Sequence, residues 1–127
     1  MTQTIELSQT KTCLCLTARR KARAITRIYE ERLRPHGLRA TQFSVLAALA
    51  LKGPTPISEL AEFLVLERTT LTRSAALLER KGWLGRAPSD DAREHRLRIT
   101  PAGRRKFERA FPAWKETQDL VAAEFAT

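Results

Sequence analysis

Ile57-Ser58-Glu59-Leu60-Ala61-Glu62-Phe63-Leu64, then Val65-Leu66-Glu67, then Arg68-Thr69-Thr70-Leu71-Thr72-Arg73-Ser74-Ala75-Ala76-Leu77-Leu78-Glu79-Arg80-Lys81-Gly82, is the stretch on which the fold turns. In its first part the apolar residues 57, 60, 61 and 64 recur at the spacing that gathers side chains on one face of an α-helix. Thr55 reads as the cap of that helix and Pro56 as its first residue. Ala61 is small where two helices of a helix-turn-helix must approach, and Val65-Leu66 supplies a short turn with an apolar plug, where glycine is more usual. The second part predicts a helix from about Arg68 to Lys81, stopped by Gly82. Its apolar stripe, Leu71, Ala75 and Leu78, leaves Thr69, Thr72, Arg73, Ala76 and Arg80 on the opposite face. Those are hydroxyl, methyl and guanidinium groups with no carboxylate among them. They suit a helix that lies in a DNA major groove and touches phosphates and base edges, whereas a merely solvated face would interleave Glu with Lys and Arg.

Outward toward the C-terminus come Trp83-Leu84-Gly85-Arg86, the polar run Ala87 to His95, and Arg96-Leu97-Arg98-Ile99-Thr100. The last segment alternates charged and apolar side chains, as a two-stranded ribbon with one buried face requires. Thr100-Pro101 then caps and starts another helix. Helix, turn, helix, hairpin and helix in this order make a winged helix, a mainly α fold whose small β-hairpin is the wing. In the closing helix Phe107, Ala110, Phe111 and Trp114 share one face, Val121 and Phe125 extend it, and Pro112 should kink it.

Outward toward the N-terminus, Leu38 to Leu51 predicts a helix capped at Thr41, with Phe43, Val45, Leu46, Leu49 and Ala50 as core. Met1 to Ser8 is a polar lead, and Gln9 to Arg34 reads as one long helix closed by Pro35-His36-Gly37. Its seam of Cys15, Ala18, Ala22, Ile25 and Tyr29 suits close packing on other helices, while Arg19, Arg20, Lys21, Arg23 and Arg27 form a solvated basic flank. The organisation is therefore an N-terminal dimerisation helix over 1–37, a winged helix-turn-helix over 38–103 and a C-terminal dimerisation helix over 104–127, packed as one domain. The first and last seams expose more apolar surface than so small a lobe can cover, which predicts a homodimer.

The chain has 127 residues, enough for one modest core, and 43% of them are hydrophobic. Lys and Arg number 23 against 14 acidic residues, a net charge of +9 that favours a polyanionic partner. No apolar run approaches a bilayer's thickness, and Met1 to Ser8 lacks the regions of a secretory signal, so no membrane association and a cytoplasmic location are expected.

The run Leu60-Ala61, Arg68-Thr69-Thr70-Leu71-Thr72-Arg73, Leu78-Glu79-Arg80-Lys81-Gly82-Trp83-Leu84, Asp91-Ala92-Arg93 and Leu97-Arg98-Ile99-Thr100-Pro101-Ala102-Gly103 resembles the MarR family of bacterial transcriptional regulators. The Asp-x-Arg of the wing and the apolar-Thr-x-x-Gly ending are its most specific features, and the similarity covers nearly the whole chain. The resemblance implies a DNA-binding homodimer, in most cases a repressor, on an inverted-repeat operator. It puts Arg93 in the minor groove or on its backbone and gives Asp91 the orientation of the wing. With the helix face it nominates Thr69, Thr70, Thr72 and Arg73 for major-groove contacts and Arg68 and Arg80 for phosphates. Family members usually carry a further helix that packs with the first in the dimer interface, and this sequence ends at Thr127.

The same resemblance offers two inputs. One is oxidation by a hydroperoxide at Cys15, with Tyr29 matching a supporting tyrosine, Arg19 and Ala40 standing where that branch has others, and Arg19 one turn away to favour a thiolate. The plainer reading makes Cys15 a small residue on a packed seam. Cys13 points to another face of an intact helix, so a bridge between the two is not expected. The other input is a small aromatic acid or phenolic compound lined by Tyr29, Phe43 and Trp114, with Arg19 or His36 to meet a carboxylate. His36 and His95 have no second ligand at metal spacing, and no phosphate loop or nucleophile elbow occurs, so neither a metal, a cofactor nor an enzyme is expected. The rival readings are a sequence-indifferent architectural DNA-binding protein and a winged-helix protein-interaction module.

Overall fold

The computed structural model describes residues 4–91 and 93–125; the first three residues of the polar lead, Ala92 of the wing motif and the last two residues lie outside it. After a 3-10 turn at Leu7–Thr12 the elements are α1 (Leu14–Leu33), a second 3-10 turn (Arg34–His36), α2 (Ala40–Lys52), β1 (Thr55–Pro56), α3 (Ile57–Leu64), α4 (Arg68–Arg80), β2 (Leu84–Arg86), β3 (Arg96–Ile99) and α5 (Pro101–Phe125). The architecture is mostly helical, with a winged helix-turn-helix at its centre.

The core lies under α2, α3 and α4. Val45, Leu46, Leu49, Leu60, Leu71, Leu78 and Leu97 are all but inaccessible to solvent, and each buried leucine contributes roughly 1.5–3 kcal/mol through the water it excludes. Phe43 joins this core to α5, stacked on Trp114 at 5.7 Å and tilted against Phe107 at 5.1 Å. α1 packs chiefly against α5, yet only Leu33 of α1 is buried. Cys15, Ala18 and Ala22 of the expected seam are exposed.

Local chemistry departs from the sequence reading at several points. The first helix is not continuous from Gln9: the backbone at Cys13, φ −58° and ψ 116°, separates the 3-10 turn from α1. Thr41 does not cap α2. Gln42 Oε1 accepts the Arg39 N–H at 2.9 Å, and the Glu30 carboxylate reaches across from α1 to accept the Ala40 N–H at 2.7 Å and Arg39 Nε at 2.6 Å. A carboxylate at a helix start meets both unpaired donors and the positive end of the helix dipole.

Nor does Thr55 cap α3 or Pro56 begin it: the helix starts at Ile57, with Pro56 at the cap position and no side-chain cap bond. Thr55 and Pro56 pair with Leu97 and Arg96, so the expected two-stranded ribbon is a three-stranded antiparallel sheet in the order β1-β3-β2. Pro56 tolerates an edge because it has no N–H to leave unpaired. Pro112 lies inside α5, as the sequence places it, and the helix runs on to Phe125.

The ends of α3 and α4 close the same way. At the end of α3 the Leu66 N–H bonds the Ala61 carbonyl at 2.9 Å and the Val65 N–H bonds the Glu62 carbonyl at 3.2 Å, with Val65 left-handed at φ 54°. At the end of α4 the Trp83 and Gly82 N–H groups bond the Leu78 and Glu79 carbonyls, with Gly82 at φ 78°. Each is the paired closure that a left-handed residue permits, and glycine takes that conformation at no steric cost. In the turn of the helix-turn-helix a valine takes it instead.

Candidate nucleic-acid interface

The buried stripe of α4 is Leu71, Ala75 and Leu78, so the helix presents its other face outward. Arg68, Thr69, Thr70, Thr72, Arg73, Ala76 and Arg80 are all exposed. The Thr72 hydroxyl donates to the Arg68 carbonyl at 2.8 Å, which leaves its lone pairs free to accept. Among the described residues Arg68, Arg73 and Arg80 enter no ion pair.

The wing is tied to α4 by Arg86 of β2. Its Nη1 donates to His95 Nδ1 at 2.9 Å, and since a guanidinium only donates, that ring nitrogen accepts. Its Nε lies 3.4 Å from Glu79 Oε1 on α4. That buried oxygen has no hydrogen-bond partner, so the attraction is ionic rather than directed. At the tip, Ser89 Oγ accepts the Asp91 N–H at 3.2 Å, Asp91 Oδ1 accepts the Arg93 N–H at 2.9 Å and the Asp91 carbonyl accepts the Glu94 N–H at 3.0 Å. The aspartate thus folds the backbone that carries the exposed Arg93 side chain.

Thr100 and Gly103 anchor the wing's return. Thr100 Oγ1 donates to the Gly82 carbonyl at 2.6 Å and accepts the Gly103 N–H at 3.0 Å, while the Thr100 N–H bonds the Trp83 carbonyl at 3.0 Å. Gly103 is buried against that carbonyl: a Cβ there would stand 2.0 Å from the Trp83 oxygen.

With helix face, turn and wing placed, comparison with known proteins decides the family. The MarR family profile matches residues 38–95. An HTH-type transcriptional regulator of Bacillus subtilis, YwoH, is 33% identical over 104 residues, which are 82% of this chain and 76% of the relative. The chain belongs to the MarR family. Mycobacterium tuberculosis MosR in complex with DNA shares 40% identity over 90% of this chain and 84% of its own, with a TM-score of 0.81. A cysteine-to-serine mutant of Escherichia coli MarR complexed with operator DNA has the same fold at 22% identity, covering 97% and 89% of the two chains with a TM-score of 0.84. As a MarR-family protein the chain is a DNA-binding transcriptional regulator and not an enzyme. No helix among the described residues is long and apolar enough to cross a membrane.

The residues nominated for an effector fall into two groups. Tyr29, Phe43 and Trp114 line one cavity of about 270 Å³ with Ile25, Leu33 and Ser44. Burial pushes the Tyr29 phenol up from its ordinary range, and its hydroxyl hydrogen-bonds Gln118 of α5. Arg19, His36 and Cys15 do not line that cavity. Cys15 lies fourteen residues before Tyr29 on α1, roughly 21 Å along the axis, so Tyr29 does not reach the thiol within one protomer. Cys13 and Cys15 are free and exposed, which removes the buried-seam reading of Cys15 within the protomer. Cys13 stands outside the helix, so the intact helix assumed from sequence is absent there. Sequence reasoning missed the Glu30 clamp, Gln118 and the fully buried Thr117, whose Oγ1 donates to the Ala113 carbonyl at 2.7 Å. Thr117 completes the helical spacing of Ala110, Trp114 and Val121 on the buried side of α5, a polar residue in an apolar period, whereas Glu30 and Gln118 act across to other elements.

Proposed function

We propose that this MarR-family regulator is a repressor that binds an inverted-repeat operator as a homodimer. The observation that carries the reading is the exposed, carboxylate-free face of α4 beside a wing whose Asp91 shapes the loop bearing Arg93. Thr69, Thr70, Thr72 and Arg73 contact bases in the major groove, Arg68 and Arg80 hold phosphates, and Arg93 meets the minor groove or its backbone. A twofold arrangement sets two such helices roughly 34 Å apart, one turn of duplex. Support for the dimer comes from Leu14, Leu16, Phe111 and Leu120, apolar side chains left exposed on α1 and α5 of the single protomer. The DNA complex of the 40% identical MosR supports the duplex as partner.

Release of DNA follows either a small aromatic ligand in the cavity of Tyr29, Phe43 and Trp114 or oxidation of the exposed Cys15. The first site joins α1, α2 and α5, so filling it shifts the dimerisation helices against the DNA-binding lobe. Binding to an operator selected from random duplexes, in competition with scrambled duplex at physiological salt, tests the reading. Arg73→Ala should cost about 1–3 kcal/mol and relax preference at one base position, whereas Arg80→Ala should weaken all duplexes alike. Equal affinity for operator and scrambled duplex marks an architectural protein instead, and no binding to either marks a protein-interaction module.

A further inference from the structure

We infer that the open groove between α1, the start of α2 and one flank of α4 is a second DNA contact, gripping the phosphate strand on the side of the recognition helix away from the wing. The inference rests on the proposed insertion of α4 into the major groove.

The groove measures about 930 Å³, and Arg23, Arg27, Arg34 and Lys81 are among the residues lining it. Glu30 is the carboxylate among its lining residues, and it is already engaged by Arg39 and the Ala40 N–H. Among the described residues no acid pairs with Arg23, Arg27, Arg34 or Lys81. Lys81 Nζ rests over the Trp83 ring at 5.1 Å, which leaves its charge in place, so the groove concentrates positive charge that no carboxylate neutralises, and a low-dielectric wall on either side strengthens its pull on an anion.

Its position relative to α4 names the anion. Successive helical residues turn by about 100°, so the exposed face of Thr69, Arg73, Ala76 and Arg80 has two flanks. On one flank Glu79 meets Arg86 and hence the wing. Leu77 and Lys81 lie on the other, and they line the groove. A helix about 10–12 Å across fills a major groove about 12 Å wide, so a phosphate strand runs along each flank. The wing side has Arg86 and Arg93. The far side has Lys81 at the C-terminal cap of α4 and, across the groove, Arg23 and Arg27 of α1. Leu77 makes the surface continuous, because it sits on the same side of the helix as Arg73 and Arg80. A free small anion would answer the same charge, but it would not explain why the groove runs into the recognition face.

The test is fluorescence anisotropy of the full chain with the selected operator and with scrambled duplex over a salt series. Arg23→Ala/Arg27→Ala should weaken both duplexes by the same factor and lower the slope of log affinity against log salt by about 4, one for each phosphate lost and two in each protomer of the homodimer. Arg23→Lys/Arg27→Lys should keep the slope, since a phosphate contact needs charge rather than a guanidinium. Molecular mass and far-ultraviolet dichroism should match the wild type.

An unchanged slope in the alanine variant, when Arg80→Ala lowers it, overturns the groove contact and leaves the proposed function standing. Absence of duplex binding by the wild type overturns both. A changed molecular mass assigns the groove to a subunit contact, and a changed operator preference assigns it to base reading. Either result overturns the inference.

Discussion

Replacing Gly103 by alanine should destabilise this protein although alanine is the better helix former. In an unconstrained helix the exchange gains about 0.5–1 kcal/mol. Here the added Cβ would stand 2.0 Å from the Trp83 carbonyl oxygen, 2.9 Å from its carbon and 3.0 Å from Ile99 Cγ1. Carbon and oxygen do not approach within about 3 Å without a shift, so the Trp83 peptide or the start of α5 must retreat by roughly 1 Å. That carbonyl accepts the Thr100 N–H, and the N–H of the same Trp83 closes α4 on Leu78, so neither side moves without losing a hydrogen bond. Overpacking costs about 1–3 kcal/mol and an orphaned buried backbone group about 1–3 kcal/mol. Against the helical gain, the net is a loss of about 3 kcal/mol, or roughly 10 °C in melting temperature for a chain of this length. Urea and thermal unfolding followed by far-ultraviolet dichroism measure it. Ala102→Gly, one residue earlier in the same turn, should cost only about 1 kcal/mol. If Gly103→Ala proves as stable as the wild type, the close approach of α5 to the end of α4 is not what fixes the wing.

Val65→Gly should stabilise the fold by about 0.5–1 kcal/mol, because a side-chain-bearing residue held left-handed costs about 1–2 kcal/mol and glycine returns part of that as lost chain entropy; Val65 is 89% exposed and has little packing to lose. A lowered urea midpoint would contradict it. Tyr29 is the only tyrosine, so phenolate absorbance reports it alone, and the titration midpoint should lie above the ordinary value of about 10 because burial disfavours the anion. The unfolded chain then loses its proton first, so the stability that Tyr29 contributes is intact below pH of about 10 and is lost as pH rises through the higher folded value. Tyr29→Phe should remove that part of the decline. A hydroperoxide should release operator DNA through Cys15 and Cys15→Ser should abolish the response; undiminished release in that variant ends the oxidation reading.

What sequence could and could not supply follows from the range of each interaction. The stripe of Leu71, Ala75 and Leu78 is a local period, and periodicity alone placed α4 and turned its threonines outward. The cap expected at Thr55 failed because residues far along the chain, Leu97 and Arg96, compete for the same backbone and win it as a strand. Thr41 failed as a cap for a similar reason: Glu30, nine and ten residues back and across a turn, delivers a charged acceptor to the donors at the start of α2. The Asp-x-Arg and Thr-x-x-Gly signatures were legible as patterns, but their cause was not. One is a carboxylate holding a backbone N–H, and the other is a helix start pressed so closely on a carbonyl that only glycine fits.

The distribution of carboxylates carries the functional argument further than the net charge does. The acids in ion pairs, Glu30, Glu59, Glu79, Glu94, Glu108 and Asp119, hold Arg39, Lys52, Arg86, Arg96, Arg104 and Lys115. Those pairs are exposed or half-buried and contribute little stability, at most about 1 kcal/mol each. Their consequence lies in which cations they leave alone. Arg68, Arg73 and Arg80 on α4 and Arg93 on the wing have no acid partner among the described residues, so an approaching phosphate displaces only mobile counterions and no carboxylate. Placing an acid within this set, as Ala76→Glu would on the exposed face of α4, adds a competitor for those arginines and a charge that repels the duplex. It should therefore weaken binding to every sequence, while Ala76→Gln, of the same length and without the charge, should weaken it far less.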